Sequence, residues 1–109
     1  MTKDLKKMTV DSLIKELHKQ FVDSNSYIQE NSIFANELLK RDEELVINEI
    51  GRHLQSTHEN IKRLPYQDQM EVQQGWIKFL CRVVKEKNIN MASVVINFDQ
   101  WIDWAINYR

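Results

Sequence analysis

Apolar side chains recur along this chain at helical spacing, and the polar residues between them fall where helices start and stop. Val10, Leu13, Ile14, Leu17 and Phe21 form the first such stripe. Thr9 before it is a good N-cap, and Asp11 suits the positive end of the helix dipole. The polar run Asp23-Ser24-Asn25-Ser26 closes this helix. A second helix is predicted after it, with Tyr27, Ile28, Phe34, Ala35, Leu38 and Leu39 facing inward and Lys40 and Arg41 at its C-terminal end. Asp42 caps a third, whose face is Val46, Ile47, Ile50, Leu54, Ile61 and Leu64, up to the stop at Pro65. Gly51 interrupts this third stripe at a cost of about 1 kcal/mol relative to alanine. It marks either close packing or a bend.

The two predicted helices after Pro65 are broader in their apolar arc. The fourth starts near Gln67, with Asp68 as its cap, and runs to Glu86. Met70, Val72, Trp76, Ile77, Phe79, Leu80, Cys81, Val83 and Val84 cover roughly 200° of its wheel. The polar remainder is Glu71, Gln74, Lys78, Arg82 and Lys85. After a short loop, residues 91–109 carry Met91, Val94, Val95, Phe98, Trp101, Ile102, Ala105 and Tyr108 on one face that spans roughly 160°. The shortness of the loop predicts an antiparallel hairpin of the fourth and fifth helices. The expected fold is all-α: a single compact bundle of about five helices with this hairpin central. Residues 1–8 are expected as a flexible lead-in and residues 9–109 as one helical domain. Such a bundle buries one central helix completely but hardly two, so part of the surplus apolar surface calls for another protein or a second copy of the chain (a homo-oligomer).

Composition narrows the class without identifying a chemistry. In 109 residues, 42% hydrophobic and 28% charged positions are those of a globular protein. Two glycines and one proline are too few for the turns of an all-β fold. The net charge of −1, with both signs interspersed, argues against a nucleic-acid partner. A single cysteine, no apolar leader and no run of membrane-span length predict a cytoplasmic protein with no membrane partner. The bias toward Ile, Asn and Lys is of the kind that AT-rich genomes, such as those of many phages and some bacteria, produce.

Candidate chemistry is sparse. Two isolated glycines exclude a phosphate-cradling loop. One cysteine and the histidines His18, His53 and His58 do not make a zinc set. Glu49 and His53 share a helical face but lack a third ligand nearby, so no metal and no cofactor is expected. Cys81 lies among apolar neighbours and is expected as a buried, inert core thiol. Asp99 and Asp103 share the polar side of the fifth helix and are expected as a solvated pair. Arg52 and His58 have the spacing, an arginine, four to six residues, then a histidine, that resembles helical ribonucleases of the HEPN type. That resemblance implies RNA cleavage through these two residues. On a continuous helix they point roughly 120° apart, so convergence on one phosphate requires a break near Gly51.

Two surfaces remain as candidate partner-binding sites. Lys78, Arg82 and Lys85 align on the fourth helix, either as a solvated face or as a docking stripe for an acidic protein or a phosphate backbone. Trp104, with Trp101 and Tyr108, would form an aromatic patch of the kind enriched at interface hot spots. No catalytic constellation emerges, and the expected function is a non-enzymatic protein-binding module: a regulator, adaptor, inhibitor or immunity-type protein. A nucleic-acid binder using the basic stripe is the alternative, and a HEPN-like ribonuclease the third reading.

Overall fold

A computed structural model of the protein describes residues 4–88, apart from the His58 side chain. The predicted fifth helix, and with it Trp101, Trp104, Tyr108, Asp99 and Asp103, lies outside the described residues. The fold is all-α, and its four α-helices fall within or over the first four predicted ones, the second only in part: α1 (Val10–Asp23), α2 (Ile33–Leu38), α3 (Glu43–Lys62) and α4 (Tyr66–Lys87). No strand occurs among the described residues.

Each boundary follows from a few polar atoms. The Thr9 hydroxyl accepts from the Ser12 amide at the start of α1, and Asp42 accepts from the Leu45 amide at the start of α3. Pro65 ends the approach to α4, which begins one residue later with no side-chain cap; Asp68 lies in its first turn without closing it. Asn88 ends α4 in the left-handed conformation, at φ 52° and ψ 47°. Asparagine tolerates that region better than most side chains.

The second predicted helix divides in two. Residues Ser26–Glu30 form a 3-10 segment, and only Ile33–Leu38 is α-helical. The cause is a second cap, Ser32, whose hydroxyl accepts from the Phe34 and Ala35 amides and donates to Gln20 Oε1 of α1. A helix entering at Ser32 cannot also continue from Ser26. Tyr27, expected inward, is accordingly 62% exposed. Within residues 1–8, Leu5–Lys7 form a 3-10 turn whose Leu5 and Lys6 carbonyls accept from the Arg41 guanidinium.

One continuous core joins these elements. The first helix packs against α2, α3, α4 and the 3-10 segment, and Leu13, Ile14, Leu17 and Phe21 on it are fully enclosed. The third helix runs unbroken through Gly51. The close approach that glycine permits is at Gly75 of α4, against the Phe21 ring. No helix among the described residues is long and apolar enough to cross a membrane.

Candidate functional site

The wheel of α4 resolves into three sectors. Gln69, Val72, Gln73, Gly75, Trp76, Phe79, Leu80 and Val83 are buried, an arc of about 160° set toward the core. On one flank stand Glu71, Lys78 and Arg82, and on the other Met70, Ile77, Cys81 and Val84.

The charged flank is engaged inside the molecule. Glu71 Oε2 accepts from the Ser26 amide at 2.5 Å. Lys78 Nζ donates to Ser26 Oγ at 3.1 Å and stands 3.6 Å from the centre of the Tyr27 ring. The Arg82 guanidinium donates to the Gln29 carbonyl at 2.6 Å and to Asn36 Oδ1 at 3.0 Å, and pairs with Glu86 at 3.4 Å. These three side chains fasten the 3-10 segment and α2 to α4. Of the predicted basic stripe, only Lys85 is exposed; Lys78 and Arg82 are half-buried.

The opposite flank corrects the expectation for Cys81, which is exposed. Residues 77, 81 and 84 follow one another at helical spacing just beyond the edge of the buried arc. Apolar sequence neighbours therefore did not make the thiol a core group. Met70, Ile77 and Val84 beside it are half-buried. Together they are the part of the predicted apolar arc of α4 that lies outside its buried sector.

A third cluster was not singled out from the sequence as a unit. His18 of α1, His53 of α3 and Trp76 of α4 meet where the three helices join. The imidazole centroids are 4.6 Å apart, edge to face. Trp76 Nε1 donates to His18 Nδ1 at 3.1 Å, which places the proton of neutral His18 on Nε2. His53 is nine-tenths buried and its Nε2 is buried without a hydrogen-bond partner among the described residues. Burial, and then the neighbouring His53, push the His18 imidazole down to about 4. His53 is also lowered, chiefly by burial; Asp11 raises it and Lys15 lowers it further. The available signal was positional: each histidine sits at the margin of its helix's apolar stripe.

Other candidate chemistry does not assemble. No group of three or more His, Cys, Asp or Glu is placed to hold a metal among the described residues. Glu49 instead pairs with Arg52 at 2.6 Å. Because α3 is continuous, positions 52 and 58 stay roughly 120° apart, and the condition for the ribonuclease geometry is not met. Comparison with known proteins returned no matching family model, no matching curated protein and no matching solved structure.

Proposed function

We propose that the protein is a small non-enzymatic binding module, a regulator, adaptor or inhibitor, that docks on another protein in the cytoplasm. The observation that carries this reading is the apolar flank of α4. Met70, Ile77, Cys81 and Val84 form a strip several turns long, half-buried to exposed, that lies outside the buried core cluster. The aromatic candidates Trp101, Trp104 and Tyr108 belong to the same proposal, and Lys85 would supply a charged rim. A nucleic-acid role draws less support. Lys78 and Arg82 already serve the 3-10 segment, which leaves little of a basic field.

The exposed thiol provides a direct test. Cys81 is derivatised with a bulky maleimide, and affinity capture from the native cell is quantified by mass spectrometry. Unlabelled wild type should enrich one protein, and labelling or Trp104→Ala should remove it, while Lys85→Glu weakens it only partly. Capture that survives both the label and Trp104→Ala refutes docking through this face. Recovery of nucleic acid alone, lost steeply with added salt, would favour the alternative.

A further inference from the structure

The junction of α1, α3 and α4 sets two titratable rings against each other, His18 half-buried and His53 nine-tenths buried. His18 and His53 stand 4.6 Å apart, and Trp76, only 1% exposed, relies on His18 Nδ1 as its hydrogen-bond acceptor. We propose that His18 and His53 form a proton-operated latch that joins α1, α3 and α4 at neutral pH and releases them in acid.

The chemistry of a single proton carries the argument. A protonated His18 has N–H groups at both ring nitrogens and can no longer accept from the indole. Trp76 Nε1–H is then a buried donor facing another donor, and a buried polar group without a partner is costly. The cation also faces a second imidazole in edge contact, so a second proton adds like-charge repulsion. From α1, Asp11 and Lys15 act on His53 in opposite senses, and they are paired with each other at 2.9 Å. The third helix contributes His53 itself. The fourth contributes the Trp76 indole.

The sign follows from linkage. His18 titrates near 4 in the closed junction and near its ordinary 6.5 when released, so the released state binds the extra proton between those values. Closure is therefore complete above pH 6.5 and weakens as pH falls toward 4. Those two values make release about twentyfold more favourable at pH 5 than at pH 7 from His18 alone.

Amide hydrogen exchange on the full chain at pH 7 and pH 5, corrected for the intrinsic rates, reads this directly. Opening of α1 and α3 peptides around His18 and His53 should rise about twentyfold in wild type. In the His18→Asn/His53→Phe variant, which keeps an acceptor near the indole but cannot gain the proton, the rise should shrink to within about threefold. An unchanged wild type, or a variant with the same rise, overturns the latch. Should the double variant not fold, NMR titration of the wild-type histidine ring protons decides. A His18 signal that titrates near 4 supports the latch, and one between 6 and 7 overturns it.

Discussion

At Gly75 the α4 backbone lies against the Phe21 ring of α1, and a side chain there has nowhere to go. An added Cβ would come within 2.6 Å of Phe21 Cδ1 and 2.7 Å of Cγ. Phe21 cannot easily retreat, because it is fully buried and held edge-on to Trp76 at 5.1 Å. Two effects compete in Gly75→Ala. Helix propensity favours alanine by about 1 kcal/mol, and overpacking a filled core costs about 1–3 kcal/mol. Overpacking should win, with a net loss of about 1–2 kcal/mol in urea denaturation; a gain would show that the ring can slide aside. Gln73, two residues away, presents the opposite case. It is 2% exposed, and neither its amide oxygen nor its nitrogen has a partner among the described residues. Gln73→Met preserves length and removes the unpaired dipole, so stability should rise by about 1–2 kcal/mol. A fall in the urea midpoint would mean that the amide is bonded after all.

At the element scale, a set of polar contacts ties the 3-10 segment and α2 to α4. Arg82 makes the most of them, to Gln29 and Asn36. Arg82→Ala should therefore cost about 1–3 kcal/mol, since it strands a buried carbonyl, while Lys85→Ala, exposed and on the far side, should stay within about 0.5 kcal/mol. Equal effects of the two would argue for a solvated stripe with no structural duty. The same contrast explains what was legible in the sequence. Helix starts at Thr9 and Asp42, the polar turn at residues 23–26 and the stop at Pro65 are written in local chemistry, so they can be read without the fold. The division of the second helix rests on Ser32 acting as a cap while bonded to Gln20 of another helix, which a linear reading does not weigh. The fate of Lys78, Arg82 and Cys81 was harder still. A helical wheel orders the faces of α4 correctly, but which flank meets the 3-10 segment depends on how neighbours pack. The His18–His53 contact joins residues on two helices, and only tertiary structure brings them together.

At the scale of the whole molecule, α1 determines how the described elements share their stability. It touches each of the other α-helices, and its enclosed residues belong to one core cluster rather than to separate pairs. Removing a side chain from that helix should therefore weaken every element at once. Leu17 has no exposed surface, and Leu17→Ala at such a site costs about 2–5 kcal/mol, a large share of the roughly 5–15 kcal/mol typical of a domain. In a Trp101→Phe/Trp104→Phe background, fluorescence reports Trp76 alone, at the α1–α3–α4 junction, while far-UV circular dichroism reports all the helices. The two urea curves should coincide, and Leu17→Ala should shift both to the same lower midpoint without changing their agreement. Separate midpoints would divide the molecule differently. The polar-fastened 3-10 segment and α2 would then unfold on their own, and Arg82→Ala would widen the gap between the probes rather than move them together.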